Sequence, residues 1–339
     1  MAHIEFLQTA IRDGWHNAFT DLVFWNDCFW MSYRKGRGHV GEDASIFLVN
    51  SMYGDVWREV ASLRAPGDCR EGRFVSMPDG RLAMLFPSWI GGFAKKQLRQ
   101  YVTFTEDGVN WSPLQTIEEP HFWFWSVKYH AGKYYSAAYS CRDAVTDEIR
   151  YRLRFFVSDD LLHWEKLADI APDCPISEAN FVFQPDGEVL LFARDAARPS
   201  RAVSYFCRSR PPYRDWSIQE LGLLLNCPEP FEHNGKIYLA ARRSAALEND
   251  NPRTPFVVGD DEAGLGLWRV ELGENEVALQ LEMKLPAAGD CAYPGITHDP
   301  KGRLCMSYYS QHAYRYGCLT PFQPDAADVY FAVVDLEAG

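Results

Sequence analysis

No apolar run in this 339-residue chain approaches the roughly 18 residues that a membrane-spanning helix needs, so no membrane partner is expected. Positive charge is in deficit. The 34 Lys and Arg face 46 Asp and Glu, a net charge of −12, which argues against a nucleic-acid partner. No Cys-x-x-Cys pair occurs. The nine cysteines are odd in number and scattered, so they are read as reduced thiols rather than as a disulfide framework or a zinc site. No His-x-His or His-x-x-x-His pair occurs either, and neither a metal nor a cofactor is expected. The N-terminus, Met-Ala-His-Ile-Glu-Phe-Leu-Gln, lacks the basic-then-apolar pattern of a secretory signal. With the reduced thiols, this gives a cytoplasmic location as the expectation. Long stretches of helical apolar periodicity are missing too, and Asp143 to Arg154 reads as a short helix or an irregular loop.

What is present is aromatic and repetitive. Aromatic residues make up 14% of the chain and Trp numbers 11, which favours wide, half-buried strands. One phrase recurs six times: a tight turn, then a strand of aromatic and aliphatic residues. Its copies start at Trp25, Pro78, His130, Pro185, Asn234 and Pro300. The turn residues Asp27, Gly80, Gly132, Gly187, Gly235 and Gly302 step by 53, 52, 55, 48 and 67 residues. A period near fifty, with every unit all strand, predicts an all-β, six-bladed β-propeller of four-stranded antiparallel blades, built as a single domain over 1–339.

A third strand follows each phrase: Ser45–Ser51, Gln100–Thr105, Arg152–Ser158, Ala202–Arg208, Gly264–Glu271 and Asp328–Asp335. Fourth strands start at Trp57, Trp111, Trp164 and Trp216, with Leu279–Leu285 serving the fifth blade. The sixth blade has no fourth strand of its own. Ile4 to Ala10 precedes the first blade with nothing to pair with, and Leu7-Gln8-Thr9 echoes the fourth-strand sequence Leu114-Gln115-Thr116. The N-terminal strand is therefore predicted to complete the last blade and close the ring.

Between third and fourth strands stand Thr105-Glu-Asp-Gly-Val-Asn-Trp111 and Ser158-Asp-Asp-Leu-Leu-His-Trp164, with a degenerate copy at Ser51–Trp57. Here Asp caps its own turn and Trp packs under the blade, a structural role. This Ser/Thr-x-Asp-Gly-x-x-Trp turn at blade spacing resembles the Asp-box, or BNR repeat, of sialidases and their six-bladed relatives. Leu-Leu-His-Trp also resembles the turn of five-bladed arabinanase- and invertase-type hydrolases, but six units favour the first group. Asp-boxes mark a fold rather than an activity.

A blade offers two places to a central site: the start of its first strand and the end of its second. Those positions hold His16, Arg34, His39, Asp68, Arg70, Glu71, Trp123, Trp125, Glu178, Arg194, Arg242, Asp290, Tyr293 and Tyr308. Arginine forks bind carboxylates and aromatic faces stack on sugar rings, so an acidic carbohydrate is the expected partner. Within the resemblance, Ser177-Glu178-Ala-Asn followed by Arg194 is similar to the sialidase blade with the catalytic Glu and one carboxylate-binding Arg. Cys291-Ala-Tyr293-Pro-Gly is similar to the blade with the Tyr nucleophile.

The resemblance then implies that Glu178 deprotonates Tyr293, which attacks the anomeric carbon. A phenol with a pKa of about 10 needs such a base. Arg34, Arg70, Arg194 and Arg242 would hold the acidic group. Trp123 and Trp125 would form a sugar platform, and His16, Glu71 and Tyr308 would contact substrate. Two places differ from the family. His16-Asn-Ala-Phe stands where sialidases have an Arg, and the loop after the second strand of blade one offers either His39 or Asp43 as acid/base. The third sialidase Arg matches Arg242 or Arg253, with Arg242 preferred on strand position. The expected function is a sialidase-like exo-glycoside hydrolase on an acidic sugar. The alternatives are a uronate-specific polysaccharide lyase or a non-catalytic carbohydrate-binding propeller.

Overall fold

The computed structural model describes residues 2–91, 97–119, 121–142, 149–196, 203–244, 264–273, 276–315, 319, 323 and 325–336. Six antiparallel sheets of four strands each follow one another along the chain, the architecture of a six-bladed β-propeller. In blade two the first strand is broken into Asp68–Cys69 and Arg73–Ser76. The six third strands fall where expected, at Ser45–Ser51, Gln97–Thr105, Ile149–Ser158, Ser204–Ser209, Gly264–Leu272 and Asp328–Asp335. Positions 149–154, read as helix or loop, thus lie in a strand, while 143–148 lie outside the described residues.

The recurring turn comes in two forms. In blades one, three and five it is a two-residue hairpin with both central residues at positive φ: Asn26 and Asp27, Ala131 and Gly132, Asn234 and Gly235. That is the twist-matching type I′ geometry. In blades two, four and six the Pro-x-Gly copies place only the glycine there: Gly80, Gly187 and Gly302. Those follow the three-residue pattern, in which Pro presets the first turn position and Gly takes the left-handed one.

The chain divides into two compact units, residues 1–117 with 286–339, and residues 118–285. The first holds blades six, one and two. There the strand His3–Ile11 pairs antiparallel with Asp328–Asp335, so the N-terminal strand does complete the last blade. Arg12 binds the buried Asp328 carboxylate at 2.7 Å and pins the end of that strand. Ile46, Leu48, Met84, Phe86 and Tyr101 form a core between blades one and two. In the second unit, Leu190, Phe192, Phe206, Leu239 and Trp268 form the core between blades four and five.

The Asp-box turns are scaffold. Asp107 Oδ1 accepts the N–H groups of Val109 and Asn110, and Asp160 Oδ1 those of Leu162 and His163. The Asn110 N–H and its neighbours hold the Asp107 carboxyl down at about 2. Trp111 and Trp164 each donate the indole N–H back to the turn, to Gly108 and Leu161 carbonyls.

Candidate active site

The first strand of every blade carries one residue more than its partner strand can match. In blade one Ala18 faces Arg34 and Asp21 faces Ser32, so Phe19 and Thr20 oppose Tyr33 alone. In blade two Arg70, Glu71 and Gly72 oppose Phe86 and Pro87. In blade three Trp125 is the unmatched residue. In blades four, five and six the bulges hold Glu178 and Ala179, Cys227 and Pro228, Tyr293 and Pro294. Phe19, Glu178, Cys227 and Tyr293 all sit at φ of +46° to +55°, a backbone region that costs a non-glycine residue of order 1 kcal/mol or more. A bulge re-aims a side chain out of the strand's alternation. Glu178 and Tyr293, matched to the catalytic pair by resemblance, thus occupy equivalent strained positions in their blades.

The same register orders the arginines. The second-strand residue paired just before the bulge is Arg34 in blade one, Arg194 in blade four, Arg242 in blade five and Tyr309 in blade six. Arg242 therefore holds a position equivalent to Arg34 and Arg194, while Arg253 lies outside the described residues. In blade six the position belongs to Tyr309 and not to Tyr308. Neighbours along a strand point to opposite faces. Tyr308 turns into the blade, stacks on Tyr330 and donates its hydroxyl to the Pro286 carbonyl. Its expected contact with substrate is thereby corrected.

In the first unit a dense charged cluster forms. Arg34 is fully buried. Its Nη2 donates to Asp68 Oδ1 at 2.7 Å, and it also donates to the carbonyls of Cys69 and Gly38. Arg70 donates to Asp68 Oδ2 and to the His39 carbonyl and lies 4.4 Å over the Phe19 ring. Its Nε is buried with no hydrogen-bond partner among the described residues. Glu71 is buried beside both guanidiniums. Tyr293 packs on Phe19 at 4.7 Å and interacts electrostatically with Arg70.

Asp290 is the second centre of this cluster. Its Oδ2 lies 3.0 Å from His16 Nε2 and 2.6 Å from His39 Nδ1, and its Oδ1 accepts the Tyr309 hydroxyl at 2.7 Å. Burial alone would raise this carboxyl. His39 and His16 outweigh burial and hold it well below the usual carboxylate range. Burial pushes His16 the other way, lowering it against the pull of Asp290. His39 is half exposed, so this edge of the cluster is open. Asp43 instead closes its own loop, accepting the Arg37 backbone N–H.

The second unit holds a smaller cluster. Glu178 Oε1 pairs with Arg194 Nη1 at 2.6 Å, Oε2 accepts the Cys227 N–H at 2.9 Å, and Arg194 Nε donates to Ser177. Glu229 takes Lys128 on one oxygen and Asn180 on the other. Trp123 lies parallel to Tyr139, with ring centroids 5.7 Å apart, and Trp125 is 1% exposed. Neither indole, expected as a sugar platform, presents a broad open face.

Of the expected residues, His16, Arg34, His39, Arg70, Glu71 and Tyr293 come together in the first unit, and Glu178 and Arg194 in the second. Asp68 and Asp290, strand-start positions to which the sequence assigns no role, join the first group, as do Phe19 and Tyr309, which no sequence signal sets apart. Asp290 lies 274 and 251 positions from the imidazoles it binds.

No known protein-family pattern matches the chain, and no curated protein does. Solved structures do. A protein of unknown function from Dyadobacter fermentans is similar over 98% of this chain and 99% of that one, with a TM-score of 0.75 and 15% identity. The endosialidase of phage phi92 is similar over 97% of this chain and 69% of that one, at a TM-score of 0.64 and 10% identity. An α-L-arabinofuranosidase from Fusarium graminearum is similar over 95% and 93%, at 0.60 and 13%. At such identities the shared property is the fold. This chain is a β-propeller of an architecture that propeller glycoside hydrolases also use.

Proposed function

We propose that the protein is a sialidase-like glycoside hydrolase acting on an acidic sugar, with Tyr293 as nucleophile. The observation that carries the reading is the placement of Tyr293. It stands on a strained bulge at φ +47°, against Phe19 and within electrostatic reach of Arg70. A nucleophile that is neutral at rest avoids repulsion from a carboxylate beside the anomeric carbon, and tyrosine is a recognised departure from the two-carboxylate scheme. Arg70 supports the acidic-sugar part, because its guanidinium keeps an Nε–H with no hydrogen-bond partner among the described residues, while Arg34 is taken up by Asp68 and two carbonyls. Glu178 is the base that the family resemblance implies. For the acid/base role the reading takes His39, half exposed and braced by Asp290, over Asp43, whose carboxylate closes its loop. The glycosidase activities of similar propellers favour a carbohydrate substrate.

The test is a panel of aryl glycosides of acidic sugars, assayed with wild type and Tyr293→Phe. Wild type should release aryl alcohol and a saturated sugar from at least one member. The variant, lacking one hydroxyl, should lose turnover by about 10³-fold or more while its affinity for that substrate stays within a few-fold. A product with a new ultraviolet-absorbing double bond would instead identify a lyase. Binding without turnover by wild type would leave a carbohydrate-binding propeller.

A further inference from the structure

His16, His39 and Asp290 bring three ligating atoms within 4.8 Å of one another, a set that a transition metal could use. The groups behind the imidazoles decide against that. A metal-bound histidine normally gives its far N–H to a carboxylate or carbonyl. Here the far nitrogen of each ring faces a cation: Arg34 Nη1 lies 3.5 Å from His16 Nδ1, and Arg70 Nη2 lies 3.5 Å from His39 Nε2. A guanidinium only donates, so each far nitrogen must keep its lone pair. The ring proton of each neutral imidazole then sits on the nitrogen that meets Asp290.

From this geometry we infer that Asp290 is a positioning residue, which holds His39 as an acid/base with its reactive lone pair on Nε2. The arrangement on His39 is that of a carboxylate–imidazole dyad. The carboxylate takes the Nδ1–H, fixes the tautomer and ring plane, and stabilises the imidazolium formed when Nε2 accepts a proton. Nε2 meets Arg70 only at the long limit of a hydrogen bond, and the side chain is half exposed, so a substrate oxygen can take that place. Asp290 is itself held from three further directions. The Tyr309 hydroxyl and His16 donate to its oxygens, and its backbone N–H donates to Gln311 Oε1. In the hydrolase cycle the His39 imidazolium gives its Nε2 proton to the leaving glycosidic oxygen as Tyr293, deprotonated by Glu178, bonds the anomeric carbon. The Nε2 lone pair so exposed then takes a proton from the water that displaces Tyr293, whose oxygen recovers its proton from Glu178, so the cycle consumes water alone.

The role of His39 in turnover rests on the hydrolase reading, whereas its tautomer does not, and the test separates the two. Nitrogen-15 NMR of histidine-labelled protein at pH 8 reads which ring nitrogen carries the proton. The expected result is an Nδ1–H tautomer for His39 and Nε2–H for His16, with Asp290→Asn moving His39 toward Nε2–H because an amide can donate where the carboxylate only accepted. Zinc titration of wild type should leave both sets of resonances in place. If a glycoside substrate is found, Asp290→Asn should lower kcat by about 10²–10⁴-fold with KM little changed, while Asp290→Glu recovers part of the loss. An Nε2–H tautomer for His39 in wild type, or stoichiometric zinc binding abolished by Asp290→Asn, overturns the inference. The expected tautomers without turnover of any glycoside would sink the hydrolase reading and leave the positioning role intact.

Discussion

Asp290 accepts bonds from three side chains of two other strands and a loop, and its charge is what makes their arrangement stable. Its carboxyl is held below the unfolded value, and so is the His16 imidazole. A group with a depressed folded pKa adds stability that is fully present above its unfolded pKa and is lost as pH falls through its folded one. The unfolded values are about 6.5 for His and about 3.9 for Asp. Thermal stability of wild type should therefore decline as pH drops below about 6.5, and again below about 4. In Asp290→Asn the second decline should shrink, so the melting-temperature gap to wild type is widest at neutral pH and narrows in acid. Equal gaps at pH 7 and pH 3 would show that the Asp290 charge is not coupled to folding. At this scale the sequence was least informative. His16, His39 and the arginines were legible as candidates because each ends or starts a strand of a repeated unit, but the partner of each lies far along the chain.

Strand phase and turn chemistry decide matters at the scale of the element. The Asp-box glycines are needed for space as well as for backbone angle. Gly108 sits at φ +78°, and a Cβ there would lie 2.0 Å from the Trp30 ring of blade one. Gly54 in the degenerate copy meets Phe331 of blade six in the same way. These turns are seams between neighbouring blades, which is why the motif repeats without marking chemistry. Gly108→Ala combines a left-handed penalty of about 1–2 kcal/mol with overpacking of about 1–3 kcal/mol, so denaturant unfolding should show a loss of several kcal/mol. A change below about 0.5 kcal/mol would mean that the turn is free to move off Trp30. The bulge was not legible in sequence. It adds one residue to the first strand and so changes which second-strand residue stands opposite that strand's start: Tyr309 pairs with Ala292, and Tyr308 opposes the bulge.

At the scale of the whole molecule, closure rests on the N-terminal strand. His3–Ile11 covers the edge of Asp328–Asp335, and Arg12 binds the buried Asp328 carboxylate. Deleting residues 1–12 exposes that edge and removes a charge partner from a buried acid, which is costly. The truncated protein should melt well below wild type or fail to fold, as read by calorimetry and by far-ultraviolet dichroism. An unchanged melting temperature would refute the closing role. The number of blades, the position of their turns and strands, and the strand that closes them are all legible in the sequence. These features are local: a turn residue sets its own backbone angle, and alternation sets a strand's buried face. That Asp68 joins Arg34 to Arg70, that Asp290 joins His16 to His39, and that Trp125 is buried comes instead from tertiary contacts. Those outcomes depend on bulges that change strand phase and on charges brought together from distant segments, where burial makes each partner's identity matter.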